Sequence, residues 1–319
     1  MNSFDYTPLS SNVSYHDRMQ HEGSLMVKIC GGLAVVFLGC SVLPFVLYGE
    51  AAGGLGFIIA ALICIGIAAA SYYALGRSVR LQRFAQANGL TYSVRDKEGV
   101  DRQGRLFERG HSRYFSDIMI STRHSFDEIG TFNYTTGGGK NRQTHARGYV
   151  RIKLPRRLPH MILDAKSNNF LGKISNISGV GGQKLSLEGD FDKYFTLYTP
   201  PEYATDALYV FTPDIMQLLI DAAHEYDCEI IDDNFYIHAD TRFDVAKPAT
   251  YEEVLKITDA LAAKLDRRTD YYADERVGDR ELNMIAPQGA RLKNGVSLAT
   301  IIMFVSIVLY IVFTFAVGN

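Results

Sequence analysis

AAGGLGFIIAALICIGIAAASYYALGRSVRLQRFAQANG, residues 51–89, sets the frame for the rest of the chain. Its first 26 residues, Ala51 to Gly76, carry no charge. At about 1.5 Å per residue such a run outspans a hydrocarbon core about 30 Å thick. Charge then returns abruptly with Arg77, Arg80 and Arg83. Leu81, Phe84 and Ala85 keep a helical spacing beyond that point, and Gly89 is placed to stop the helix because glycine reaches positive φ without strain. The stretch predicts a membrane-crossing helix that runs on into water.

Outward from it lie two further uncharged runs, 20 residues from Ile29 to Tyr48 and 25 from Gly295 to Asn319. The first exceeds the usual h-region of about 7–15 residues and is followed at once by the second span, so a helical hairpin is a better reading than a leader cleaved after Ala51 or Ala52. The link between them holds Glu50 and no Lys or Arg, whereas basic residues follow Gly76 and Arg291 and Lys293 precede the last run. Positive charge near span ends marks the cytoplasmic side. The expected frame is an N-terminal tail (1–26) that is cytoplasmic and disordered, a transmembrane hairpin (27–76), a cytosolic domain (77–294) and a C-terminal transmembrane helix (295–319) ending outside.

No ionisable residue interrupts the spans, so they read as anchors and not as an ion path. Pro44 is expected to kink the first, and Gly66 with Ala70 offers a small face for helix contact. Cys30, Cys40 and Cys64 fall in spans and Cys228 in the domain, which leaves no disulfide framework.

The 319-residue chain is 47% apolar and 21% charged with a net charge of −2, but the balance conceals a division. Residues 77–184 hold 20 Lys or Arg against 8 Asp or Glu, and residues 185–294 hold 11 against 23, a surplus of 12 of each sign in turn. The basic half can face anionic lipid, which we expect of the juxtamembrane Arg77, Arg80 and Arg83; elsewhere cross-strand pairing between the halves is expected. No basic face with interleaved aromatics persists far enough to indicate nucleic acid.

Period-two runs at 117–122, 132–135, 148–154, 184–187 and 207–211 predict short strands, separated by turn residues that favour antiparallel pairing. Helices are predicted after Thr212-Pro213 and after a capping box formed by Thr250 and Glu253. The fold class is therefore α+β: three transmembrane helices plus a soluble domain of antiparallel strands with two or three helices.

FNYTTGGGKNRQT, residues 132–144, looks like a phosphate loop but fails the test, since Asn141 stands where Ser or Thr should follow Lys140 and strand follows where a helix should. It reads as a wide glycine hairpin whose Lys140 and Arg142 could meet an anionic headgroup or partner. Acids and aromatics alternate at Asp190, Phe191, Asp192 and Phe195, where a solvated face with both phenylalanines turned inward outweighs a metal or acid–base site. Asp232-Asp233-Asn234 reads as a turn between strands 228–231 and 235–238. The eight histidines are scattered with no zinc or metalloprotease spacing, so no metal and no cofactor is predicted.

The segments 132–144, 158–164 (LPHMILD), 191–198 (FDKYFTLY) and 211–214 (FTPD) resemble a family of uncharacterised bacterial membrane proteins, in which two N-terminal spans precede a cytosolic domain of unknown function. The likeness covers about residues 81–265 and implies a bacterial source and the cytoplasmic membrane. It brings no catalytic residue, and the run 295–319 departs from that two-span layout. The expected function is a membrane protein whose domain binds a protein partner, a second copy or the membrane surface. The rivals are an enzyme on a membrane-associated substrate, using Asp190, Asp192 and Asp214, and an accessory subunit of an envelope transporter.

Overall fold

The computed structural model describes residues 4–48, 52–96, 102–168, 184–187, 189–279, 281–292 and 306–307. The chain divides into two units, Met1–Tyr92 with Ala246–Pro248, and Ser93–Val245 with Ala249–Asn319.

The first unit is helical: α1 (Thr7–Ser10), α2 (Tyr15–Gln20), α3 (Leu25–Cys40), α4 (Leu43–Tyr48) and α5 (Ala52–Ala87). Helix α5 is continuous past Arg77 and ends before Gly89, which takes φ 66°. Among the described residues one helix is long and apolar enough to cross a membrane, the 34 residues Gly54–Ala87 within α5. Two other expected spans are not supported as such. The run 29–48 is divided between the 16 residues of α3 and the 6 of α4, because Pro44 has no N–H to give to Cys40 and sits instead in the first turn of a new helix. The run 295–319 lies outside the described residues apart from the helical Ser306 and Ile307. The close approach of α3 and α5 falls at Gly54, where a Cβ would lie 2.6 Å from Ser41 O, and not at Gly66.

The tail expected to be disordered is folded from residue 4 to 24. The Ser14 hydroxyl and Asp17 cap α2 reciprocally, Phe4 and Tyr6 lie 5.7 and 6.0 Å from the ring of Phe84, and Arg18 donates to Tyr72 O at 2.9 Å. Apolar residues at the start of the tail cover the face of α5 that carries Leu81, Phe84 and Ala85, all buried.

The second unit is α+β with an antiparallel sheet. The strands are β1 (Leu90–Asp96, which begins in the first unit), β2 (His111–Ser121), β3 (Glu128–Thr136), β4 (Gln143–Ala165), β5 (Lys184–Leu185), β6 (Phe195–Tyr198) and β7 (Asp227–His238), in the order β1-β2-β3-β4-β6-β5 with β7 on the other edge of β4. Helices α6 (Phe191–Tyr194), α7 (Ala204–Val210), α8 (Pro213–Ala223), α9 (Pro248–Thr269) and α10 (Pro287–Ala290) complete it.

Several predicted elements change form. Residues 207–211 fall in and just after α7, where Ala207 and Val210 are buried at helical spacing. Residues 228–238 belong to one strand, the expected turn being a register shift at which Asp232 takes φ 54°, a conformation Asp tolerates. Strand β4 extends 23 residues because Pro155 and Pro159 both lie where its pairing with β7 slips, the one part of a central strand in which a missing N–H is harmless. Helix α9 starts at Pro248, and the Thr250 hydroxyl donates to Asp244 O in place of the capping box. Gly137 and Gly139 take φ 72° and 54° at the β3–β4 tip, and Phe191 and Phe195 are buried and stacked, as the sequence indicates.

Phe84→Ala removes the ring that Phe4 and Tyr6 cover. We expect it to loosen residues 4–24 by about 3 kcal/mol, read as faster proteolysis there with cleavage elsewhere unchanged.

Candidate functional site

A cleft of about 690 Å³ opens beside β1 and β2. Its floor is aromatic, formed by Phe107, Phe115 and Phe132, with Phe107 lying 5.3 and 5.2 Å from the other two rings. Its walls carry Arg95, Arg102 and Arg113 together with His111 and Tyr114. Alternation sets Tyr114 opposite the buried Phe115, and the register shift between His111 and Tyr114 turns Arg113 outward although it stands two residues from Phe115.

The three guanidinium groups differ in their commitments. Arg102 is bound at Nε to Glu128 at 2.5 Å and at Nη1 to Asp96 at 3.0 Å, and lies 4.4 Å over the ring of Phe115. Burial works against its charge, but Tyr149, Glu128 and Asp96 outweigh burial and raise its pKa. Arg95 rests on Tyr114 with its Cζ 3.9 Å from the ring centre, and Arg113 donates to Phe107 O at 2.9 Å. Among the described residues neither Arg95 nor Arg113 meets a carboxylate. His111 stands at the mouth with Nε2 on Gly137 O at 3.0 Å and Nδ1 on the Ser112 hydroxyl at 3.1 Å, and Ser112 holds φ 53°.

Two buried carboxylates hold this wall in place. Glu128 accepts from Arg102, from Arg151 at 3.2 Å and from the Tyr149 hydroxyl. Burial first and Glu128 second push that hydroxyl well above the usual tyrosine range, so it remains a donor. Glu229, fully buried, accepts the Arg105 backbone N–H at 2.9 and 3.0 Å, His160 Nε2 at 2.8 Å and His238 Nε2 at 3.4 Å. The Leu292 N–H donates to His160 Nδ1 at 3.0 Å, which places the His160 proton on Nε2, facing Glu229. Burial opposes the charge of Glu229, yet the donors from His160 and His238 lower its pKa to about 2. Gly104, at φ 143°, makes room for the carboxylate, since a Cβ there would lie 2.8 Å from Glu229 Oε2. Glu229 thus ties down residues 104–105, between the Arg102 wall and the Phe107 floor.

The residues singled out from sequence lie elsewhere. Arg77, Arg80 and Arg83 are half-buried along one face of α5, with Arg83 paired to Asp17 at 2.8 Å. Lys140 and Arg142 are exposed at the hairpin tip. Asp190 pairs with Lys193 at 2.7 Å, Asp192 accepts from Ser186 and Leu187, and Asp214 pairs with Lys264 at 2.7 Å, so the three acids serve separate local contacts and do not converge. Among the described residues no group of His, Cys, Asp and Glu could hold a metal. Arg95, Arg113 and Glu128 were not singled out from sequence, Arg95 and Arg113 counting only toward the basic surplus of residues 77–184; Glu229 belongs to the acidic cluster with Asp227, Asp232 and Asp233, which reads as turn chemistry and is instead part of β7.

Fold and cleft together define an α+β protein with an antiparallel sheet and a basic, aromatic-floored recess. Neither a protein-family model, nor a curated protein, nor a solved structure matches the chain.

Glu229→Gln turns an amide N–H toward groups that all donate, and should cost about 2 to 3 kcal/mol of unfolding free energy. Because the folded pKa lies below the ordinary 4.5, the carboxylate stabilises fully above 4.5 and that contribution disappears as the pH falls toward 2. Denaturation followed by tyrosine circular dichroism should show a shallower loss of stability across that window in the variant than in the parent.

Proposed function

We propose that this chain is a bacterial inner-membrane protein whose cytosolic α+β domain binds an anionic group presented by a partner or by the membrane surface, without catalysing a reaction. Supporting the anchor are the exposed Leu55, Ile58, Ile59, Leu62 and Ile63 on α5, a surface that water would not tolerate and lipid would. The arginines that follow on the same helix favour the cytoplasmic side for their end. On this reading the runs 29–48 and 295–319 complete a three-span frame, with the N-terminus inside and the C-terminus outside. Oligomerisation and assembly with another membrane protein are compatible with it.

The observation that carries the binding assignment is the pair of guanidinium groups, Arg95 and Arg113, which meet no carboxylate among the described residues, in a cleft where Asp96 and Glu128 are already committed to Arg102. A recess whose described carboxylates, Asp96 and Glu128, are both engaged by Arg102 offers recognition charge more readily than a carboxylate acid or base, which favours capture over turnover. We expect the full-length chain to resist alkaline extraction from membranes and a reporter fused near position 200 to stand on the cytoplasmic side. Embedded in neutral nanodiscs, the chain should be captured by phosphatidylglycerol vesicles at low salt. A reporter outside, together with no capture by vesicles and no crosslinked partner in cells, would end this reading.

An enzyme acting on a membrane-associated substrate is favoured by one feature, the hydrogen bond from Ser112 to His111 at the cleft mouth, on a serine held at positive φ. On that rival, Ser112→Ala abolishes a cellular phenotype that Lys256→Ala on the exposed side of α9 leaves intact; a wild-type phenotype for Ser112→Ala removes it.

A further inference from the structure

We infer that the cleft beside β1 and β2 is a phosphomonoester site, in which Arg95 and Arg113 grip the phosphate and Phe107 and Phe115 on its floor receive the apolar or planar body attached to it. The inference deepens the binding assignment above and rests on it.

Three features define the ligand. The cleft, about 690 Å³, falls within the range of about 300–1,000 Å³ that small-molecule sites occupy and is too small for a macromolecule to enter whole. Among the described residues, the charge not paired with a carboxylate comes from two guanidinium groups, which matches a phosphomonoester, with about −1.5 to −2 charges at neutral pH, better than a singly charged carboxylate or phosphodiester. Guanidinium forks also suit phosphate oxygens geometrically, each offering parallel N–H donors. Arg102 adds a fixed positive background without being free to rearrange, since Glu128 and Asp96 both hold it. Below these charges the phenylalanines exclude water from one side of the recess, which strengthens the ion pairs above it; Phe132 is fully buried, so the apolar surface open to a ligand body comes from Phe107 and Phe115.

The same chemistry is offered by a soluble phosphomonoester and by the headgroup of phosphatidic acid. Full-length chain in phosphatidylcholine nanodiscs should be titrated calorimetrically with phenyl phosphate and with short-chain phosphatidic acid, and with phenol as the uncharged control. Saturable binding of either phosphomonoester, absent with phenol, is expected. Arg95→Ala and Arg113→Ala should each weaken it about tenfold or more, as loss of a charge-assisted contact requires, while Lys256→Ala on the exposed side of α9 leaves it unchanged. Arg95 is exposed and stacks on Tyr114, so its replacement leaves the fold in place even if Arg113→Ala disturbs the contact to Phe107. Tighter binding of phosphatidic acid identifies the lipid headgroup as the source, and tighter binding of phenyl phosphate identifies a soluble ligand. Failure of both to bind, or binding indifferent to Arg95→Ala, overturns the inference. If vesicle capture nevertheless persists, the broader reading survives and only the cleft is misassigned; if that capture and the cytoplasmic reporter fail too, both fall.

Discussion

Glu229 is the constraint on which the cleft depends. A carboxylate with no access to water is tolerable only when N–H groups replace the solvent it has lost, and here they come from three parts of the chain: the backbone at Arg105, His160 on β4 and His238 at the end of β7. The demand runs in both directions. The carboxylate needs those donors to stay charged, and the segment carrying Gly104, Arg105 and Phe107 needs the carboxylate to hold it over the sheet. The Phe107 ring then meets Phe115, Phe132, Tyr149, Tyr236 and His238 at centroid distances of 5.2 to 5.7 Å, so the same ring that floors the cleft also sits at the centre of the aromatic core.

The opposed charge of the two halves has a topological explanation. Strand β4 comes from the basic half and β7 from the acidic half, and they are neighbours from Tyr149 to Leu163. Lys153 meets Asp233 at 2.8 Å across that boundary, and Arg147 likewise reaches Asp240. Exposed pairs of this sort contribute little each, about 0 to 1 kcal/mol, so their role is to match one strand to its partner more than to stabilise the sheet. Strands β1 and β2, both from the basic half, lie at the end of the sheet away from β7, and the cleft opens beside them.

How much of this was legible in the sequence follows from the range of each interaction. The length of α5, the stop at Gly89, the glycine hairpin and the buried Phe191 and Phe195 depend on local spacing, and spacing revealed them. Two errors came from tertiary context overriding a short pattern: residues 207–211 alternate well enough for a strand but pack as a helix, and the Asp232-Asp233-Asn234 turn signal was absorbed as a kink because β4 supplies a partner on both sides of it. The cleft was hidden for a different reason. Arg102 and Glu128 are 26 residues apart, and Arg105 and Glu229 are 124 apart, distances at which no spacing rule operates. Glu128 opens a strand whose other residues are almost all buried, and Glu229 shares β7 with the buried Asp227 and with Asp232 and Asp233, so an acid beside a buried run was the residue-level signal available.

The contrast between Arg102 and Arg95 explains why this recess is suited to recognition. A guanidinium gripped by two carboxylates supplies a fixed field but cannot follow a ligand. One laid on a tyrosine face keeps its donors free and exchanges a cation–π contact, about 0.5 to 1 kcal/mol at an exposed site, for stronger charge-assisted hydrogen bonds when an anion arrives. Arg113 is intermediate, anchored through one nitrogen to Phe107 O with the rest of its fork uncommitted. The wall is therefore graded from rigid to adaptable, and the adaptable members are the ones exposed to solvent. The buried acids keep their influence on the wall indirect: they fix where Arg102 and Phe107 stand, and leave the contact with the anion to side chains that lose little by moving to meet it.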